Sequence, residues 1–415
     1  MLVAALQLAA PSAAQEAANT ELTWGDCVRE AVANNPDLRA KRLAVEQYNY
    51  AYKAGYNSYL PKVSASHSFT RSGGDGVSAS NRWGLSVSAS EPLLDLQAAS
   101  SIRKARINYE KAEADYRDAS ASLRQTLYNA FLSLQVAQEQ VKVDAKVLKL
   151  REENARLINL KYESGMESRG NKMYAEALAA SARASAQKSA RALDVARREL
   201  LTAMGVSGYK AVTAKGDLAT PEYALDTAGL KSALEKVPQI VAQQKSLASS
   251  QESLLSAKYA SYPTLDANQS VGWSGRSELP SNNSWSMGLS LSIPLFSSGI
   301  TYNANNTKAM KAALKAAEEN LRSLKLSLES QVLNAYDEFL NARDTVASGE
   351  TLVKADEERY KESQINYMAG AISFIDLETV EQTMVDAQQN QLQYVKNANT
   401  RKTAIENLLG KGLED

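Results

Sequence analysis

The chain has 415 residues, with 47 basic and 47 acidic side chains, one His, one Cys and 7% aromatics. Zero net charge leaves no basic footprint for nucleic acid, and a lone Cys and a lone His exclude a Cys/His zinc cluster, an internal disulfide and a conventional Ser–His–Asp triad. With only 5 Phe and 4 Trp, there is little bulky apolar mass for thick globular cores; the abundant Ala, Ser, Gln, Asn, Lys and Glu suit long helices wetted on more than one side.

Leu2 to Ala14 is a short, Ala-rich apolar stretch in which Ser12 and Ala14 fit a signal-peptidase site, so residues 1–14 are expected to be the remnant of an export signal. No run of about 20 apolar residues follows, so no helix is expected to span a bilayer. Cys27, inside Leu22-Thr23-Trp24-Gly25-Asp26-Cys27-Val28, reads as a small buried helix residue rather than a lipidation site.

A helix is expected over about 23–57, followed by a β-hairpin over about 62–91. There Val63, Ala65 and Phe69 share parity, Trp83, Leu85, Val87 and Ala89 alternate with Gly84, Ser86, Ser88 and Ser90, and Gly73-Gly74-Asp75-Gly76 supplies the turn. From Leu96 to about Lys161 there is neither Pro nor Gly. Ala112, Tyr116, Ala119, Leu123, Leu127, Ala130, Leu134, Ala137 and Val141 recur there every three or four residues, which is coiled-coil spacing. Gly165 marks a tight tip, a returning helix ends near Gly205, and residues 206–225, with Gly208, Gly216 and Pro221, read as a linker.

The pattern then starts again. Asn35-Pro36 recurs as Val237-Pro238, Trp83 as Trp285 and Pro92-Leu93 as Pro294-Leu295, all at an offset of 202 residues; Tyr162 and Gly165 recur as Tyr367 and Gly370, and Gly205 as Gly410, at 205. One duplication with a short insertion explains both offsets. The first repeat spans 22–205; the second spans 226–410, with a helix to about 260, a hairpin over about 264–293, a long helix, a tip at 370 and a returning helix, and 411–415 is a tail.

All four strands have one apolar face and one small, polar face, and Trp83, Trp273 and Trp285 lie near strand ends. That favours a membrane barrel with a wet interior over a soluble sandwich. Trp83, Leu85, Val87, Leu265, Val271, Trp273, Trp285, Met287, Leu289, Leu291 and Ile293 are the expected lipid-facing set, with His67 and Gln269 as headgroup-level polar side chains on the same parity. Four strands cannot close a barrel, eight give one filled by side chains, and twelve, from three chains, leave a lumen. The expected fold is therefore mixed α and β: a transmembrane β-barrel, twelve-stranded in a trimer, continued by a long α-helical coiled-coil barrel.

The duplicated pattern, the strand-ending Pro92-Leu93-Leu94-Asp95 and Pro294-Leu295-Phe296-Ser297, and the tip segments Tyr162-Glu163-Ser164-Gly165 and Tyr367-Met368-Ala369-Gly370-Ala371-Ile372-Ser373-Phe374-Ile375-Asp376-Leu377 resemble the TolC-type outer-membrane efflux family over nearly the whole chain after residue 21. The resemblance implies a homotrimeric channel-tunnel of the outer membrane reaching into the periplasm. Such a tunnel is the exit duct of a tripartite efflux or type I secretion system and docks onto a periplasmic adaptor protein and an inner-membrane pump or secretion ATPase. The sequence offers no Gly-rich phosphate loop, metal cluster or nucleophile–base pair, so no enzyme activity, cofactor or bound metal is expected. The resemblance places a gate at the tips: Asp376 matches a pore-ringing carboxylate, with Thr379 where a companion acid is expected, Glu378 and Glu381 on other helix faces, and Ile372 in place of a tip arginine. Tyr367 matches a tip tyrosine whose expected partner position is Asn171. The adaptor is expected to touch Gly165, Met166, Ser168, Gly370, Ala371 and Ser373. Asp376 also suits the N-cap region of the returning helix. A periplasmic coiled-coil structural or adaptor protein is the competing reading, and it leaves the four two-faced strands without a purpose.

Overall fold

The computed structural model describes residues 20–295 and 299–414. The expected export signal at 1–14 and Phe296-Ser297 of the second strand-end motif lie outside the described residues. The first half contains β1 (Thr20–Leu22), α1 (Trp24–Asn34), α2 (Pro36–Gly55), β2 (Lys62–Gly74), β3 (Val77–Leu94), α3 (Leu96–Glu163), α4 (Arg169–Met204) and β4 (Val212–Ala214). The second contains α5 (Leu230–Leu234), α6 (Pro238–Tyr259), β5 (Thr264–Gly275), β6 (Asn282–Ser292), α7 (Tyr302–Met368) and α8 (Phe374–Leu408).

The helix expected over 23–57 is two helices, and so is its counterpart over 226–260. A proline ring crowds the residue before it out of the helical region: Asn35 sits at φ −65°, ψ 120°, and Val237 at φ −62°, ψ 132°. Pro36 and Pro238 then start new helices, where the missing N–H costs nothing. The segment 206–225 is more than a linker. Its β4 pairs in parallel with β1, Leu218 packs against Ala342, Val346, Val395 and Ala398, and the Ala219 carbonyl accepts from Asn399 Nδ2 at 3.0 Å.

The four longer strands form one antiparallel sheet in the order β2-β3-β5-β6, so the two copies meet at the β3–β5 pairing. The strands have 13, 18, 12 and 11 residues. The first hairpin runs past the expected end at 91 because β3 continues through Pro92, tolerated at a register shift between Pro92 and Leu94 where a bulge releases the ladder hydrogen bond.

α3 and α7 run 68 and 67 residues without interruption. α7 continues through Gly349, where a Cβ would come within 2.9 Å of the Tyr394 ring of α8, so here glycine permits close helix packing. The chain divides into two compact units, and neither is a sequence repeat. One is built from Ala121–Leu225, Val332–Asp415 and the N-terminal segment through Pro36; the other from Asp37–Ser120 and Asp226–Gln331. The first holds both helical tips, around a core that includes Val147, Ile158, Tyr360, Tyr367, Phe374, Leu377 and Met384; the second holds the four-stranded sheet.

Candidate functional site

Both long helices stop by the same device. The Gly165 and Gly370 amides donate to the Tyr162 and Tyr367 carbonyls, and the next amides, of Met166 and Ala371, reach back to Lys161 and Asn366 at 2.8 Å. This hydrogen-bond pair requires a left-handed residue, which glycine supplies at φ 76° in each turn. Three residues later a serine opens the returning helix: Ser168 Oγ accepts from the Asn171 amide, and Ser373 Oγ from the Asp376 amide. The two serines expected at the adaptor-docking tip thus act as N-caps, while Met166 stands 71% exposed beside them.

In the second copy the cap is reciprocal. Asp376 Oδ2 accepts from the Ser373 amide at 3.1 Å and the Ser373 hydroxyl at 2.7 Å, completing a capping box. The Ser373 hydroxyl bond is the main cause that holds the Asp376 carboxyl below its ordinary value. Asp376 is exposed, on the same open face as Thr379 and Thr383. Glu378 is elsewhere: it is half-buried and lines a small cavity with Arg151, Asn154, Phe374 and Glu381.

The Tyr367–Asn171 contact does not form. Tyr367 is 2% exposed and donates its phenol O–H to Glu167 Oε1 at 2.7 Å. Asn171 Nδ2 instead donates to the other oxygen of the same carboxylate at 2.8 Å. Glu167 stands one residue before the Ser168 cap, within reach of both partners, so the link is charge-assisted rather than neutral. Burial is the largest single influence on Glu167 and pushes its carboxyl up, but the hydrogen bonds from Asn171, Tyr367 and the Ser168 amide, with the Lys161 charge, outweigh it, and the net direction is down. The Tyr367 phenol is driven well up, by burial and then by its bond to Glu167. Lys161 closes the knot: its ammonium lies 3.8 Å from the Tyr367 ring centroid and donates to the Tyr367 carbonyl at 3.1 Å.

A second anchor lies further along α8. Arg151 Nε meets Glu381 Oε1 at 3.1 Å with both side chains almost fully buried, and Asn154 Nδ2 donates to the other Glu381 oxygen at 2.5 Å. Burial raises the Glu381 carboxyl in spite of Arg151. Sequence reading missed Glu167, Lys161 and Arg151. Glu167 had one signal: at the offset of 205 it is the counterpart of Ile372, so an acid stands in the first copy where the second has an apolar residue.

The sheet is two-faced along its full width. Phe69 pairs with Trp83, Leu85 with Trp273, Val87 with Val271, Val271 with Trp285, Gln269 with Met287, Ala267 with Leu289 and Leu265 with Leu291. Directly opposed residues share a face, so the expected apolar set within the strands lies on one side; Ile293 follows just beyond β6. His67 stacks on Trp83 there, with ring centroids 5.4 Å apart. On the other side, hydroxyls pair across strands: Ser64 with Ser88 and Ser66 with Ser86 at 2.8 Å, and Ser270 with Ser286 at 2.9 Å.

The family profile described as "Outer membrane efflux protein" matches residues 27–206 and 229–411, one segment per repeat. The toluene efflux pump outer membrane protein TtgC of Pseudomonas putida is 25% identical over 295 residues, 66% of this chain and 59% of that protein. The antibiotic efflux pump outer membrane protein ArpC of Pseudomonas putida aligns to the same extent, so the chain spans about three-fifths of the length of these curated relatives. The crystal structure of CusC superposes with a TM-score of 0.85 at 17% identity, covering 93% of this chain and 91% of that one. The open-state MtrE channel of Neisseria gonorrhoeae gives 0.82 at 23% identity, covering 94% and 89%. The fold is that of these outer-membrane channels, and the chain belongs to the outer membrane efflux protein family.

Proposed function

We propose that this protein is an outer-membrane channel: a homotrimer whose three sheets close into a twelve-stranded barrel, continued by a helical tunnel that serves as the exit duct of a tripartite efflux system. One observation carries the reading. The sheet has an apolar face and a hydroxyl face, and among the described residues its edge strands β2 and β6 each have a partner on one side only. An open edge invites pairing with another chain, and cyclic pairing of β6 to the next β2 removes all edges. The apolar band on β5, from Leu265 to Trp273, runs about 26 Å along the strand at about 3.3 Å per residue, which at a tilt of about 40° is about 20 Å of barrel height, most of the roughly 25 Å band of outer-membrane barrels.

The trimer would bring three Asp376 carboxylates together as a pore ring at the tunnel end, with the Tyr367–Glu167 link restraining the tips around them. Gly165, Met166, Gly370 and Ala371 are the exposed tip positions for a periplasmic adaptor, through which an inner-membrane pump is engaged. TtgC and ArpC are named as parts of efflux pumps, which favours a pump over a secretion ATPase as that partner.

The test is the mass and conductance of detergent-extracted protein. Three protomers and discrete conductance in planar bilayers are expected; one or two protomers without conductance would contradict the reading. Val87→Arg, on the apolar face of the central β3, should cost about 2–4 kcal/mol, and Ser88→Arg, on the hydroxyl face, much less.

A further inference from the structure

Among the paired positions that register assigns to the hydroxyl face, three carry charge: Lys62, Arg82 and Asp266. Lys62 pairs with Ser90 and Asp266 with Pro92, so these two lie near one level at the helix end of the sheet, on the strands flanking β3, with opposite signs. Arg82 stands alone. It is eight residues from Ser90 along β3, about 27 Å toward the hairpin turns.

The Arg82 side chain is exposed, pairs with Thr70, and its Nη2 reaches Ser274 Oγ at 3.5 Å. Ser80 and Gly84 flank it along β3 on that face, and Arg276 directly follows the last β3–β5 pair, Trp83 with Gly275. Among the described residues no carboxylate forms an ion pair with it: the acids of the adjoining turns, Asp75 and Glu278, make none.

We propose that Arg82 sets the ionic preference of the outer half of the lumen: three guanidinium groups, one per protomer, form a positive ring near the hairpin-turn mouth that attracts carboxylate, phosphate and sulfonate solutes. The inference rests on the trimeric-channel reading above. Twelve strands about 4.8 Å apart and tilted by about 40° enclose a backbone bore on the order of 24 Å. Arginine side chains reach roughly 6 Å inward, so at 0.1 M salt, where the Debye length is about 10 Å, the field of the ring fills the cross-section. Walls of neutral hydroxyls do not offset it, and low-dielectric clefts of one sign concentrate counter-ions.

The experiment uses the full-length trimer in planar bilayers under a potassium chloride gradient, with a trivalent anion, citrate, added on the hairpin-turn side. Wild type should show side-specific citrate block, and Arg82→Ser should lose it and lower chloride relative to potassium permeability by about twofold or more. Arg82→Lys should keep both properties. Arg71→Ser, which removes a charge from the opposite face of the same hairpin, should leave them unchanged. Equal permeability ratios and equal block in wild type and Arg82→Ser, or loss of block in Arg71→Ser alone, would overturn the inference while the channel reading stands. Absence of conductance in wild-type trimers would overturn both.

Discussion

At Gly165 and Gly370 the two long helices end in the same hydrogen-bonded turn, and Ser168 and Ser373 restart the chain in the same way. Around that shared frame the chemistry divides. The second tip has a buried tyrosine, a closed capping box and a return helix anchored by the buried Arg151–Glu381 pair. The first tip has half-buried Tyr162, an open cap and, at the counterpart of Glu381, Glu176, which is 56% exposed opposite Lys172. Its one distinctive contribution is Glu167, which accepts from Tyr367 of the other copy. Duplication reproduced the backbone; divergence anchored one tip with a buried tyrosine and a buried ion pair and gave the other the carboxylate that ties to it.

The largest break in this asymmetry should come from Arg151→Met, which strands Glu381 in the core. Leaving one buried charge without its partner costs about 3–5 kcal/mol, read as faster amide exchange over the first turns of α8. The double variant Arg151→Met/Glu381→Leu should recover most of that protection. Glu176→Gln, on the first copy, should change exchange in α4 by no more than about 0.5 kcal/mol.

Next in size is Tyr367→Phe. Removing a hydrogen bond to a charged acceptor costs about 1.5 kcal/mol where the acceptor is partly open to water, and loosening should appear at both tips because the bond joins them. Tyr162→Phe removes no bond that spans the copies and should leave exchange at both tips close to wild type.

Acid sharpens the same comparison. The Glu167 carboxyl is held below its ordinary value, so its contribution is complete above the free glutamate pKa of about 4.3 and is lost as pH falls through the lowered folded value. Tip protection should therefore drop below about pH 4, and Glu167→Gln should remove its share of that step, leaving the part that the Asp376 cap, also held low, contributes. Glu381 moves in the opposite direction, so its protonation does not produce the step.

The smallest structural effect should be that of Asp376→Asn. The amide oxygen still accepts from the Ser373 amide, so helicity at the α8 start persists while the carboxylate charge is gone. A pore role then shows as weaker block by multivalent cations; unchanged block with slightly faster exchange would leave Asp376 as a helix cap alone.

Much of this was legible in the chain. Period-two alternation marks all four long strands because each has one apolar and one small polar face, and the offset of the glycines gives both turns because only glycine sits easily at φ 76°. The β1–β4 pair was hidden because three residues carry no period. The Tyr367–Glu167 bond was hidden for a different reason. Aligning the repeats compares each residue with its own counterpart, whereas this bond joins non-equivalent positions of the two copies. Arg151 and Glu381, 230 residues apart, each look in sequence like solvated charges on a wet helix. Only the packing of α8 against α3 makes them an internal pair.

The claim that the cross-copy bond restrains the tunnel end is tested most directly by single-channel recording of wild type, Tyr367→Phe and Tyr162→Phe in planar bilayers. A loss of about 1.5 kcal/mol is roughly tenfold in an equilibrium, so Tyr367→Phe should raise the open fraction by about that factor, with Tyr162→Phe indistinguishable from wild type. Equal open fractions in all three, or a matching rise in Tyr162→Phe, would contradict the account.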